Sequence, residues 1–187
     1  DAQGNRTYKY EQSKAQLYGA EVSFSLHPEK LKGFRWDNNM SVIYGFNRAS
    51  VFKGKGNEGE YLPLIPPMSI NSGISKEIKP KSKYFTAIIP KFEMEYTATQ
   101  NRFLGLNGTE TRTSSYTLFN LGVTTEINYS KNKNIQFIVQ ANNLFNKAYQ
   151  SHLNRLKYFE YYNTSSRGNS GIYNMGRNIV FKLIMPF

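Results

Sequence analysis

Few residues in this sequence have the chemistry for a reactive centre. The 187 residues contain two histidines, His27 and His152, and no cysteine, so thiol nucleophiles, disulfide frameworks and Cys-ligated metals have nothing to build on. No Ser, Asp and His stand at a spacing that marks a nucleophile with its base. No histidine cluster marks a metal centre, and a lone His152 in a long loop is more often a loop residue than a ligand. What the sequence does concentrate is positive charge beside aromatic rings. Between Phe145 and Arg177 stand Lys147, Arg155, Lys157, Arg167 and Arg177 against Glu160 alone, interleaved with Tyr149, Tyr158, Phe159, Tyr161 and Tyr162. Cations pair with anions and aromatic faces stack on rings, so His152, Arg155, Lys157, Tyr158, Tyr161 and Tyr162 are candidate contacts to an anionic ligand. The whole chain is basic, with 24 Lys and Arg against 13 Asp and Glu. That sign suits nucleic acid, an anionic membrane surface or anionic ligands. Charges of both signs run along the same segments, which argues against the continuous basic stripe that nucleic acid requires.

The elements that would position these residues read as strands. Apolar residues fall on alternate positions, the period of a sheet with one apolar face, and not at the three-and-four spacing of a helix. Tyr18, Ala20, Val22, Phe24 and Leu26 alternate with Gly19, Glu21, Ser23, Ser25 and His27. After a turn through Pro28 to Gly33, Phe34, Trp36, Met40, Val42, Tyr44 and Phe46 alternate with Arg35, Asp37, Asn39, Ser41, Gly45 and Asn47, and only Asn38 and Ile43 break the pattern. The clearest strand spans Thr117 to Tyr129, with Phe119, Leu121, Val123, Thr125 and Ile127 opposite Asn120, Gly122, Thr124 and Glu126. A polar turn, Ser130 to Asn134, leads to Ile135, Phe137, Val139 and Ala141. Tyr84 to Tyr96 is a further strand, Met68 to Ile78 a weaker one, and Asn178 to Phe187 the last. With a first strand from Arg6 to Gln12 the sequence predicts about eight, in an antiparallel up-and-down meander.

Length separates this pattern from an ordinary sheet. Most of these strands have 10 to 14 residues, beyond the usual five or six and enough for the roughly 9 to 11 that a tilted membrane strand needs. Connections alternate between short turns and long loops, the layout of an outer-membrane barrel. No apolar run approaches a spanning helix, and the mean hydropathy of −0.58 is blind to alternating strands. A soluble two-sheet sandwich fits the same periodicity.

Particular residues then point to a family. Asn142-Asn143-Leu144-Phe145-Asn146-Lys147-Ala148-Tyr149, a long loop, Met175-Gly176-Arg177-Asn178 and a strand closing on Phe187 resemble the C-terminal end of TonB-dependent outer-membrane receptors. Upstream, Tyr18-Gly19-Ala20-Glu21 resembles the family's Gly-x-Glu strand. Leu62-Pro63-Leu64-Ile65-Pro66-Pro67 is similar to its Pro-rich strand entry. Gln100-Asn101-Arg102, Glu110-Thr111-Arg112-Thr113 and Tyr116-Thr117-Leu118 are similar to its third-from-last loop and strand. The matches keep the family's order over nearly the whole chain, and Ser151-His152-Leu153 resembles the branch with metal and siderophore receptors.

The resemblance implies that residues 1–187 are the C-terminal portion of a larger transmembrane barrel of about 22 strands, filled by a plug domain that these residues do not include. It implies residence in the bacterial outer membrane and import of a scarce nutrient such as an iron chelate, haem or metal complex, with no enzyme activity and no cofactor. Arg35, Asp37, Lys91, Glu93 and Glu126 would line the lumen. Phe181, Leu183, Met185 and Phe187 would form the signal read by the outer-membrane assembly machinery. Implied partners are membrane lipid and lipopolysaccharide, the plug and remaining barrel strands, and the TonB energy-coupling complex through segments outside these residues. An aromatic belt at the membrane surface or lipopolysaccharide phosphates would use the same basic, aromatic loop. Three other readings stay open: a self-contained eight-stranded outer-membrane protein with a structural or adhesive role, a soluble basic β-sandwich binding module, and a barrel protease or lipase with catalytic groups in its loops. Closing eight strands on themselves would bury the charged face, at several kcal/mol per ion, so an open curved sheet is expected.

Overall fold

The structure, a computed structural model, describes residues 13–130, 133–158 and 171–185. Seven strands, β1 (Ala15–Leu26), β2 (Phe34–Asn47), β3 (Ser69–Lys76), β4 (Phe85–Thr97), β5 (Tyr116–Ser130), β6 (Lys133–Asn142) and β7 (Asn178–Ile184), form one antiparallel sheet in sequence order. Among the described residues the only helical pieces are three 3-10 turns, at Ser50–Phe52, Leu106–Gly108 and Arg155–Tyr158. The expected strand from Arg6 to Gln12 lies outside the described residues.

Register follows the apolar period. Val22 lies opposite Met40, Met40 opposite Ile70, Met94 opposite Phe119, Val123 opposite Val139 and Val139 opposite Phe181. Each row therefore gathers apolar residues on one face, because a one-residue slip would exchange the faces. Aromatic pairs fasten that face across strands: Phe24 meets Trp36 edge-on at 6.0 Å, Phe92 stacks on Phe119 at 5.7 Å and Phe137 on Phe181 at 6.5 Å. Asn38, out of pattern in the sequence, stays in register on the apolar face, where its Oδ1 accepts from Ser72 and Ser72 accepts from Trp36 Nε1.

Three boundaries differ from expectation. The ladder between β5 and β6 continues through Asn128–Asn134 to Ser130–Lys133, because polar side chains do not stop a hairpin whose backbone donors still pair. The β3–β4 ladder runs only to Ser75–Lys91 and resumes at the isolated bridge Ile78–Ile88 in the same register. The gap faces Pro90, which has no N–H to give. Finally, β7 ends at Ile184, so Met185 is off the ladder, and Phe187 lies outside the described residues.

The described residues form no conventional core. Ala87 and Leu118 are the buried hydrophobic residues among those described, while Val22, Leu183 and Phe181 on the apolar face are 56%, 59% and 68% exposed. An uncovered apolar face on this scale marks a surface made for another apolar medium or partner. The antiparallel order sends the long connections 48–68, 98–115 and 143–177 to one end and the short turns to the other.

Candidate functional site at the long-loop end

Three loops meet at one buried carboxylate. Glu110 is 2% exposed, and its Oε1 accepts the Leu64 N–H at 2.8 Å while Oε2 accepts the Leu104 N–H at 3.0 Å. It thereby ties the loop after β2 to the loop after β4. Asn57 reinforces the joint: its carbonyl accepts from Gly105 N and its side-chain oxygen from Phe103 N, at 2.7 and 3.2 Å. Gln100 Nε2 also donates to Ile65 O at 2.8 Å.

The third loop docks through His152 and Lys157. Lys157 Nζ donates to Thr113 Oγ1 at 2.5 Å and to Thr111 O at 3.2 Å. The Thr113 hydroxyl, already accepting from the ammonium, donates its own proton to His152 Nδ1 at 2.8 Å. The proton of a neutral ring then sits on Nε2, which faces Glu110 Oε2 at 3.8 Å without a hydrogen bond. Burial holds His152 below its ordinary pKa, against the pull of Glu110 and together with the repulsion of Lys157. Burial likewise brings Lys157 down to about 8, with Glu110 opposing the shift.

Beside this joint, Arg112, Ser114, Tyr116, Lys147, Tyr149 and Lys157 line a cleft of about 390 Å³ that no described carboxylate borders. Tyr116 and Tyr149 stand 4.5 Å apart at its wall, and burial raises the Tyr149 pKa, with Tyr116 and Glu95 adding to the rise. Three cations, hydroxyls and an aromatic pair can hold oxyanions and stack on a flat ligand.

The sequence-derived candidates divide accordingly. His152 and Lys157, expected to be ligand contacts, are 1% and 6% exposed. In the docked loops the ring of His152 fastens loop to loop through Thr113. Lys157 does border the cleft. Arg155 is exposed and lays its guanidinium over the Tyr158 ring at 5.1 Å, and the Tyr158 hydroxyl accepts the Thr111 N–H at 3.3 Å. Tyr161 and Tyr162 lie outside the described residues. Glu110, Thr113, Arg112 and Asn57 were not singled out as site residues, because the contacts that carry Glu110 to Leu64, Thr113 to His152 and Asn57 to Phe103 span 39 to 46 residues and no local pattern shows them.

The asparagine-rich segment after β6 is explained by geometry. Asn143 and Asn146 adopt positive φ, 49° and 53°, which asparagine tolerates better than most residues. Asn143 Oδ1 accepts from Lys147 N while Nδ2 donates to Lys147 O, each at 2.8 Å, closing a turn. Asn146 Oδ1 accepts the Arg177 N–H at 3.0 Å, and a side chain at Gly176 would meet that oxygen at 2.6 Å. The two separated pieces of the motif are thus one packed unit.

The charged face pairs internally. Arg35 meets Asp37 and Lys91 meets Glu93, both at 2.6 Å, Gln136 donates to Glu126 at 3.0 Å, and Asn120 donates to Glu95. The first four border or lie within a depression of about 360 Å³ across β1 to β4.

Long antiparallel strands, apolar on one face and charged on the other, make this chain an arc of a transmembrane β-barrel. The TonB dependent receptor-like, β-barrel family model matches residues 1–144, and the chain belongs to that family. In fold it is similar to the copper transporter OprC, with 18% identity, a TM-score of 0.63, and coverage of 91% of this chain and 23% of that one. It is likewise similar to the ferric yersiniabactin uptake receptor FyuA from Yersinia pestis, with 17% identity, a TM-score of 0.58, and coverage of 90% and 23%. The chain spans about a quarter of the length of these two structures. Comparison with curated protein sequences gives no match.

Proposed function

We propose that these residues are the C-terminal wall and extracellular loops of an outer-membrane transporter that imports a scarce nutrient as an anionic chelate. The observation that carries this reading is the cleft at the long-loop end, cationic and aromatic, between loops fastened to each other by Lys157 and His152 on Thr113. Its charge favours an anionic complex over a bare metal cation, by simple Coulomb sign. The loops capture the ligand. Arg35, Asp37, Lys91, Glu93 and Glu126 face a lumen where they contact the plug domain or line the path, and the TonB energy-coupling complex, acting through segments outside these residues, displaces the plug. Phe181, Leu183, Met185 and Phe187 present the terminal stripe to the assembly machinery, and lipid and lipopolysaccharide surround the apolar face. Family membership supports transport over enzyme chemistry.

The test is uptake by cells carrying the intact receptor, with and without the inner-membrane energy-coupling protein, using a panel of ferric siderophores, haem and copper ion as probes. Energy-dependent uptake of at least one anionic chelate, reduced about tenfold or more in Arg112→Gln/Lys147→Gln, is the expected result. Uptake that is indifferent to energy coupling, or of bare copper alone, contradicts the reading.

A further inference from the structure

At the short-turn end, the apolar face carries a groove that the strand pattern alone does not require. Its cause is Pro90. One row holds the bulky residues Ile74, Phe92 and Leu121, and the next holds Phe34, Lys76, Pro90 and Val123. The compact proline ring stands in that second row, opposite Lys76, where the β3–β4 ladder is interrupted. Phe34, Ile74, Lys76, Pro90, Phe92 and Leu121 enclose about 190 Å³. The stem of Lys76 lines the groove, and its ammonium is held at the end of the sheet by the Lys32 carbonyl at 2.6 Å.

The surroundings of that ammonium are basic. Lys30 and Lys32 stand in the turn before β2, and Lys79, Lys81 and Lys83 in the turn before β4, against Glu29 and Glu77. Glu77 is already engaged by Lys79 at 3.2 Å. Lys83 lies over the exposed Tyr84 ring at 5.0 Å, an aromatic and cation pair of the kind that sits where hydrocarbon meets headgroups.

We propose that this groove holds a phospholipid of the periplasmic leaflet, with an acyl chain on Pro90 and an anionic headgroup phosphate on Lys76 and the neighbouring turn lysines. Apolar lining continuous with the exposed face, and a cation at one end only, match an amphiphile. An acidic protein segment would satisfy the lysines but not the groove. The site rests on the outer-membrane reading above, which sets the short turns toward the periplasm.

Native mass spectrometry of the intact receptor, titrated with phosphatidylglycerol and phosphatidylcholine of equal chain length, tests it. One phosphatidylglycerol is expected to be retained about fivefold better than phosphatidylcholine, the factor that one lysine near an anionic surface supplies. Lys76→Gln should remove the preference, whereas Lys133→Gln, at the same end but outside the groove, should keep it. Pro90→Leu, which fills the groove, should lower retention of both lipids. Equal retention by the unaltered receptor, a preference that survives Lys76→Gln, or displacement of phosphatidylglycerol by poly-glutamate with no effect of Pro90→Leu would overturn the proposal. No retention of any lipid would instead sink the membrane reading itself, so the two fail separately.

Discussion

Glu110 shows how one side chain can hold a surface that its neighbours only decorate. Its two oxygens each accept a backbone N–H from a different loop, and an amide offers only one acceptor oxygen in their place. Glu110→Gln should therefore strand one buried N–H, at about 1–3 kcal/mol. Hydrogen exchange at Leu64 or Leu104 should speed up by about tenfold or more, with the strand amides unchanged. The pH dependence of loop docking has a definite sign. Below pH 8 Lys157 is protonated in docked and undocked loops alike, and the cost of burying its charge is fully present. Between about 8 and the ordinary 10.5 the docked loop gives up a proton that the undocked loop keeps, so docking strengthens with rising pH. His152 works at the other end: as pH falls below 6.5 the undocked ring takes up a proton that the buried ring resists, and docking weakens. Exchange rates of the loop amides, corrected for intrinsic pH dependence, check both limbs. The sequence marks His152 and Lys157 as unusual but carries no sign that they are interior, because burial here comes from Thr113 and Glu110 in another loop.

At the scale of the strands, the alternating period carried nearly everything. The faces of β5 and β6 follow directly from residues such as Val123 and Glu126, since a period of two leaves only one way to place them. The ends were less legible: Pro90 breaks a ladder through a missing donor, and Ser130 and Lys133 extend one despite their polarity. Val123→Lys should cost about 2–4 kcal/mol if the residue lies near the bilayer midplane, while Thr124→Lys, one residue along and on the charged face, should cost far less. Urea unfolding of the intact protein in lipid vesicles measures the difference, and equal costs would mean that the apolar face does not meet lipid. Deleting Phe187 from the full-length protein should lower its outer-membrane abundance without changing its synthesis, as immunoblots of fractionated cells would show.

For the molecule as a whole, the decisive feature is that the described strands form an open sheet. β1 and β7 stand at its two ends, every residue of β1 is exposed, and seven antiparallel strands leave those two running in the same direction. Antiparallel closure among the described strands is therefore impossible without a further strand between them. The cost of burying the charged face predicts an open sheet; Arg6 to Gln12, whose pairing with the last strand would decide it, lies outside the described residues, and the family match makes the described strands an arc of a barrel. What pattern alone did not convey was the joining of the three loops, which depends on contacts between segments far apart in the chain. A cryo-electron microscopy structure of the intact protein from native outer membrane tests the arc most directly. The expected result is that the free edge of β7 pairs with a strand from outside these 187 residues, in a barrel of about 22 strands around a plug. Finding the free edge of β7 hydrogen-bonded to residues 6–12 of this same chain, in a closed eight-stranded barrel, would contradict it.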